Sequence, residues 1–406
     1  KLNNNKQRHI IIFLYNSYND PLCQGLLVKY CKELVLDGDK FFHIISFEQP
    51  QYRLSVEEVL LEKRKLAERN INWYPLQFHT GRFLLVKKGY DCLRGILKAI
   101  RIKYKHKCET IVAFANIAGS MSYLIAKLTG MRLVVFSYEP HSLFLKELGC
   151  WKESSLKFKL LRFLEVKLGR NADVVITGTR YMIDHLQMTG VKGKLYRLPT
   201  SVDSDLFKFD EIARSSIRQK FGLNDKRVVI YTGKFGDLYY KDEIFEVAAT
   251  LYNSNRLYFF IFLTGHDKDE ITELFDRYKI PAESYWIGRV PHEEVSQFLS
   301  AADIGLVTVA DFPSRKYCSP TKVGEYLCCG LPYIVTRGTS EDDIYAEVYN
   351  VGVVVEKFSR SGVLPKLNAI NDLLAEPKEQ LAERCRQTGV AYRGYKNAIQ
   401  LFQKIL

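Results

Sequence analysis

The sequence predicts an α/β protein made of two doubly wound, parallel-sheet domains in tandem, and three observations predict it. Short runs rich in β-branched and aromatic residues alternate with amphipathic helical stretches, a pattern that pairs strands in parallel through right-handed crossovers. The alternation stops at a polar, aperiodic stretch, RLPTSVDSDLFKFD at 197–210, and then restarts. At 406 residues with 47% hydrophobic content, the chain is long enough to bury two cores.

In chain order, HIIIFLY (9–15) reads as the first strand, and LCQGLLVKYCKELVLDG follows it as a helix ending at Gly38. TIVAFA (110–115), LVVFSYE (133–139) and ADVVITG (172–178) are the further strands of the first half. After the break come RVVIYTG (227–233), LYFFIFLTG (257–265), YWIGRV (285–290), IGLVTV (304–309), PYIVT (332–336) and GVVVE (352–356), with helical patterns between them. AYRGYKNAIQLFQKIL, at the end, is a helix candidate. The domains expected are 1–200, 201–385 and a last helical segment, 386–406.

Composition narrows the function. No apolar run approaches the roughly 18 residues that span a bilayer. The start, KLNNNKQRH, has no apolar signal core, so a cytoplasmic protein is expected. Nine cysteines without C-x-x-C spacing, two of them adjacent at Cys328 and Cys329, fit reduced thiols rather than a disulfide framework or a zinc site. The net charge of +13 is unevenly placed: residues 1–200 hold 33 Lys and Arg against 17 Asp and Glu, while the remainder is slightly acidic. The first half is therefore expected to face something anionic, a lipid surface or nucleic acid; a merely soluble basic surface is the alternative.

Chemistry in such folds gathers beyond the carboxyl ends of the strands. YTGKFGDLYYKDEIFEVA (231–248) offers Gly233, where a backbone can approach a ligand, and two lysines, Lys234 and Lys241, suited to phosphate. LTGHD (263–267) and WIGRVPHEEV (286–295) repeat the strand-then-glycine design; Arg289 is a further substrate-binding candidate, whereas His292 and Glu293 read as helix-start polarity. In CSPTKVGEYLCCGLP (318–332), Ser319 is expected to cap a helix with Pro320 as its first residue, which aims the free amides of Thr321 and Lys322 at an anion. Glu325, one turn on, is placed to accept hydrogen bonds from the two hydroxyls of a ribose. A Lys322–Glu325 surface pair on a simple capped helix is the alternative. Together these features point to a nucleoside diphosphate.

In the first half, FSYEPHS (136–142) puts Glu139 and His141 directly after a strand, where His141 can donate a hydrogen bond to a substrate hydroxyl or pass a proton; a purely structural histidine is the alternative. NSYNDPLCQG (16–25) brings Gly25 near a helix start, where a backbone can approach an acceptor or a phosphate. No metalloprotease, EF-hand, Walker, nucleophile-elbow or kinase motif is present in the sequence, which removes support for metal-dependent hydrolysis and ATP-driven phosphoryl transfer.

The order of these motifs resembles the GT-B fold glycosyltransferases, and most closely glycosyltransferase family 4, over nearly the whole chain but with specific motifs only in the second half. The resemblance implies two Rossmann-like domains facing an interdomain cleft, with the final helix crossing back to the first. YTGKFGDLYYKD resembles the phosphate-binding segment, with Lys234 where arginine is usual and Lys241 at the family lysine. Glu325 matches the second glutamate of the Glu-x7-Glu pattern, the ribose ligand, but the first falls on Tyr317, as in the SPTK-EYL branch of bacterial surface-polysaccharide enzymes. The resemblance implies a retaining transfer from a nucleotide-diphosphate sugar to a lipid-linked or saccharide acceptor, with no metal or other cofactor and with the leaving diphosphate helping to deprotonate the acceptor. His141, Lys234 and Lys241 would then be catalytic, and Gly25, Glu139, Gly233, Arg289, Ser319, Thr321, Lys322 and Glu325 substrate-binding.

The basic stretches VKKGYDCLRGILKAIRIKYKHK (86–107) and LKFKLLRFLEVKLGR (156–170) mix cationic with apolar residues as interfacial helices do, so peripheral attachment to the inner face of the cytoplasmic membrane is expected. Helices that pack on the sheet with their lysines outward are the alternative. A GT-B sugar-nucleotide epimerase would need an additional acid/base carboxylate pair. A nucleic-acid-binding protein, the other rival, lacks any recognised motif, and no nucleic acid is expected as a partner.

Overall fold

Among the described residues, thirteen strands, none longer than nine residues, form two sheets in which every strand pairing is parallel. A computed structural model of the chain describes residues 7–406; the first six residues of the lysine- and asparagine-rich start lie outside the described residues. Two compact units result, one of residues up to Pro199 together with Lys396–Leu406, the other Thr200–Tyr395.

The first unit holds β1 (Arg8–Leu14), β2 (Lys40–Glu48), β3 (Ile71–Gln77), β4 (Thr110–Phe114), β5 (Arg132–Phe136), β6 (Val174–Thr177) and β7 (Lys194–Arg197), in the order β3-β2-β1-β4-β5-β6-β7. Central strands buried on both faces need continuous apolar runs, and Ile10 to Leu14 in β1 are all buried. The helix expected after β1 is present with a π-helical turn, Gln24–Val28, in its middle, and it closes at Gly38, whose φ of 82° ends the last turn. The final helix, Tyr395–Ile405, adds to this core: the Phe402 ring lies 5.6 Å from Tyr30 and 5.4 Å from Phe136, and Arg132 donates to the Ile405 carbonyl at 2.6 Å.

The second unit holds β8 (Arg227–Thr232), β9 (Tyr258–Leu263), β10 (Tyr285–Gly288), β11 (Ile304–Leu306), β12 (Tyr333–Thr336) and β13 (Gly352–Val355), in the order β10-β9-β8-β11-β12-β13. Strand order reverses between β8 and β11, which makes the carboxyl ends of these strands the natural place for a ligand. Asp303, just before β11, accepts from Arg214 at 2.7 Å, from Arg218 at 3.1 Å and from the Val228 amide at 2.8 Å, which ties the entrance of the strand to distant parts of the unit.

Residues 386–406 do not form one segment. The helix Lys378–Arg393 runs through position 386 and stays packed on the second unit, with Arg386 donating to the Cys328 carbonyl at 2.8 Å; the chain leaves that unit after Tyr395. All nine cysteines are free thiols, and most are buried. No described helix is long and apolar enough to cross a membrane.

Candidate functional site

A cavity of about 790 Å³, in the range typical of small-molecule sites, opens at the carboxyl ends of β8, β9 and β10 and is bounded on one side by the helix Thr321–Cys328. Each wall has a local cause. After β8 the chain turns at Gly233, with a φ of 130° that a side chain would strain; a Cβ there would also meet the Lys322 Nζ at 3.2 Å. Glycine is thus required both by the turn and by the lysine lying against it. The following loop, Gly236–Tyr240, is pinned to the exit of β11: Tyr240 donates its amide to the Thr308 carbonyl, and Ala310 donates to the Leu238 carbonyl, both at 2.9 Å. A second tie runs to the exit of β9, where His266 Nε2 accepts from the Phe235 amide at 3.2 Å. That bond leaves the ring's other nitrogen to carry the proton.

The most unusual residue is Lys322. Only 6% exposed, its ammonium has no hydrogen-bond partner and sits 4.6 Å from the Tyr231 ring centre and 4.2 Å from that of Tyr239. Aromatic faces supply part of the lost hydration but not hydrogen bonds. Burial pushes its pKa down to about 7, against the partial counter-effect of Glu325. The Glu325 carboxyl is pushed up by burial, an effect opposed by His292 and Lys322. Both groups line the cavity, where an anion beside the lysine and hydroxyls beside the glutamate would restore the interactions that burial removes.

Of the residues expected to bind substrate or act on it, Gly233, Lys234, Arg289, Thr321, Lys322 and Glu325 come together around this cavity. One expectation is corrected. Ser319 does not cap the helix: Pro320 occupies the cap position with ψ 131°, and the Ser319 hydroxyl instead accepts from the Thr200 amide at 2.9 Å and from Arg393 at 3.0 Å. Its role is to seat the helix start, not to meet an anion. Lys241, expected at the phosphates, reaches Glu270 at 2.6 Å. The Lys322–Glu325 surface pair is also corrected, because Lys322 is buried. Tyr317 ends the 3₁₀ turn Pro313–Tyr317, just ahead of the helix.

Gly25, Glu139 and His141 belong to the first unit. Gly25 is exposed within the π-helical turn, with nothing within 4 Å of the place a Cβ would take. Glu139 follows β5, and burial raises its carboxyl to about 7. His141 opens the helix His141–Glu147; its ring reaches solvent, yet the surrounding protein lowers its pKa by desolvation. The turn carrying both is held by Glu165, which accepts from the Ser142 amide at 3.0 Å and from the Ser142 hydroxyl, while its carbonyl accepts from Tyr138 at 2.9 Å.

Sequence reasoning missed Glu165, His266 and His292. The last two line the cavity, and His292 was assigned to helix-start polarity. It stands in a 3₁₀ turn, His292–Glu294, with its ring 5.3 Å from Phe207. Their signal was positional, since each histidine follows closely on a strand-terminal glycine, Gly265 or Gly288.

Known structures share this architecture. Over 98% of both chains the fold matches sucrose-phosphate synthase from Thermosynechococcus elongatus, at TM-score 0.72 and 15% identity. Anabaena HepE in complex with UDP matches over 98% of this chain and 99% of its own, at TM-score 0.70 and 13% identity. WaaG, a glycosyltransferase involved in lipopolysaccharide biosynthesis, matches over 97% and 98% at TM-score 0.64 and 15% identity. The chain has the GT-B fold. Within it, residues 213–390 match the family Glycosyl transferases group 1, a stretch that takes in every wall of the cavity and supports that assignment for the second unit. A curated relative, the GDP-mannose-dependent alpha-(1-6)-phosphatidylinositol monomannoside mannosyltransferase of Mycolicibacterium smegmatis, is 30% identical over 131 residues. That match spans 32% of each chain, about a third of the relative's length.

Proposed function

We propose that the protein is a retaining glycosyltransferase that moves a sugar from a nucleoside diphosphate sugar to a lipid-linked or saccharide acceptor in the assembly of a bacterial surface polysaccharide or lipopolysaccharide. The observation that carries this reading is the pairing of an unpartnered buried lysine, Lys322, with Glu325 in a cavity at the strand ends of a GT-B unit. Glu325 takes the ribose hydroxyls. Lys322, Lys234 and the first amides of the Thr321–Cys328 helix take the diphosphate. As the bond between the sugar C1 and the phosphate oxygen breaks, these groups stabilise the charge left on the diphosphate. The acceptor oxygen bonds to C1 on the same face, and its proton passes to the departing phosphate oxygen. Lys241 joins this set only if Glu270 releases it. The mannosyltransferase relative favours a guanine nucleotide, and the UDP complex of HepE favours uracil.

The reaction is tested by following a panel of UDP- and GDP-sugars, incubated with the protein and bacterial lipid extract, by proton NMR. Release of the diphosphate with retained anomeric configuration is expected. Inversion would contradict the mechanism, and no turnover of any donor would contradict the activity.

Membrane attachment is part of the same proposal. The helix Leu84–His106 turns Val86, Tyr90, Leu93, Leu97 and Tyr104 to solvent at heptad-like spacing, among many lysines and arginines, and the helix Leu156–Asn171 exposes Leu156, Leu160 and Phe163. Helices that only packed on the sheet would keep these apolar residues inward, so the pattern supports an interfacial role. Flotation with anionic liposomes should carry the protein at low salt and fail for Leu93→Glu/Leu97→Glu. Equal flotation of the two proteins would contradict it.

A further inference from the structure

Three histidines from distant parts of the first unit meet at the amino end of β1. His9 is the second residue of β1, His43 lies in β2, and His106 is the last residue of the helix Leu84–His106. In the parallel register His43 stands opposite Ile11, which puts it on the same face of the sheet as His9. His9 Nδ1 is 3.1 Å from His43 Nε2, the His43 and His106 rings are 4.3 Å apart, and one nitrogen from each of the three rings falls within 4.8 Å of the others. The site lies at the opposite end of the sheet from the strand ends that carry Glu139 and His141.

Hydrogen bonding among the rings does not satisfy this cluster. Each neutral imidazole has one donor and one acceptor, and the His9–His43 contact uses only one nitrogen of each. His43 Nδ1 and His106 Nε2 are buried without a partner, and two such nitrogens in one place are an unusual cost for a folded chain. Burial, together with mutual repulsion and the charge of Lys105, lowers the pKa of His43 to about 3, and burial lowers His9 and His106 as well. Imidazole ligates metal through an unprotonated ring nitrogen, and one such nitrogen from each of the three rings converges here.

We propose that His9, His43 and His106 form a three-histidine site for a divalent transition metal of the zinc class, with a fourth position open to solvent or an anion. A tetrahedral ion bound at about 2.0–2.1 Å needs ligand nitrogens roughly 3.3 Å apart. The His9–His43 pair is already close to that separation at 3.1 Å, and the nitrogen of the third ring lies within 4.8 Å of both. All-imidazole ligation selects zinc, copper or nickel over calcium or magnesium. Lys105, whose charge acts on His43, opposes a bare dication; the carbonyl end of the Leu84–His106 helix and an anionic fourth ligand oppose that repulsion. The site would tie the end of that helix to β1 and β2, and it is independent of nucleotide chemistry in the second unit.

The test uses the tag-free full chain, stripped with chelator and titrated with Zn²⁺ by calorimetry and with Co²⁺ by visible absorption. One equivalent should bind, raise the melting temperature and give the absorption of a tetrahedral imidazole-ligated Co²⁺. His106→Gln and His9→Gln should each weaken binding at least about tenfold, since even the loss of a group that merely orients a ligand costs that much. Absence of stoichiometric binding by the wild type, or equally tight binding by both variants, overturns the proposal. Should a variant fail to fold, imidazole proton NMR of the wild type decides. Zn²⁺ must shift the resonances of these three histidines, and shifts confined to the other five of the chain's eight overturn the site.

Discussion

Lys322 shows how a functional residue can be recognised by what it costs. A buried ammonium without a hydrogen-bond acceptor destabilises the ligand-free protein, so Lys322→Met should raise unfolding stability by about 1 kcal/mol after the lost aromatic contacts are set against it. The same substitution should abolish binding of the diphosphate. The sign with pH follows from the depressed pKa: between about 7 and the ordinary 10.5 the unfolded chain holds more protons at this lysine than the folded one. Its penalty is full below pH 7 and fades as pH rises toward 10, so the stability gap between wild type and variant should narrow over that window. A diphosphate that pairs with Lys322 must restore its charge. Binding near pH 8 should therefore take up a fraction of a proton, measured by calorimetry in buffers of different ionisation enthalpy, and affinity should fall from pH 7 to 9. A gap that widens with pH, or binding without proton uptake, contradicts this assignment. At this scale the sequence was informative but incomplete. The lysine and glutamate were legible from their place at a helix start, whereas the burial that distinguishes Lys322 comes from Tyr231 and Tyr239, far away in the chain.

The helix Thr321–Cys328 is placed by another helix, Lys378–Arg393. The two approach closely through glycines: a Cβ on Gly324 would meet Val202 and Arg393, and one on Gly389 would meet Leu327 Cβ at 2.7 Å. Arg393, fully buried, bridges Asp342 at 2.6 Å, Ser319 at 3.0 Å and the Pro320 carbonyl at 3.2 Å. This network explains why the expected serine cap is absent, since Arg393 and Thr200 engage Ser319 and the helix starts one residue later. Arg393→Met should cost about 3–5 kcal/mol by stranding Asp342, and it should weaken nucleotide binding by loosening the helix start. Arg393→Met with Asp342→Leu should recover part of the stability; a double variant no better than the single one contradicts the pairing. The strands missed in the sequence have related reasons. β3 contains Pro75 and β7 is short and half exposed, and both stand at sheet edges where a continuous apolar run is not required. β2 is a strong apolar run interrupted by His43, whose partners His9 and His106 only the fold brings near.

For the whole molecule, the chain returns to its first unit for its last eleven described residues, Lys396–Leu406. Phe402 is fully buried there against Tyr30 and Phe136. Deleting this segment should destabilise the first unit by at least the 3–5 kcal/mol typical of a lost buried phenylalanine. Unchanged melting would show that the helix is dispensable. The α/β class was legible because parallel strands buried on both faces leave long apolar runs in any sequence, whereas the GT-B architecture was legible only through the resemblance that the motifs of the second half carry. The charge excess of the first half was equally plain, but only the structure shows that apolar side chains share its exposed helices. The central claim concerns the second unit, and calorimetric titration with UDP, GDP, ADP, CMP and their common sugars tests it most directly, on the wild type, Glu325→Gln and Lys322→Met. One diphosphate should bind at one site per chain, and each substitution should weaken it by about tenfold or more, as expected for a lost charge-assisted hydrogen bond. If no nucleotide binds, or both variants bind as tightly as the wild type, the cavity is not a donor site and the account fails.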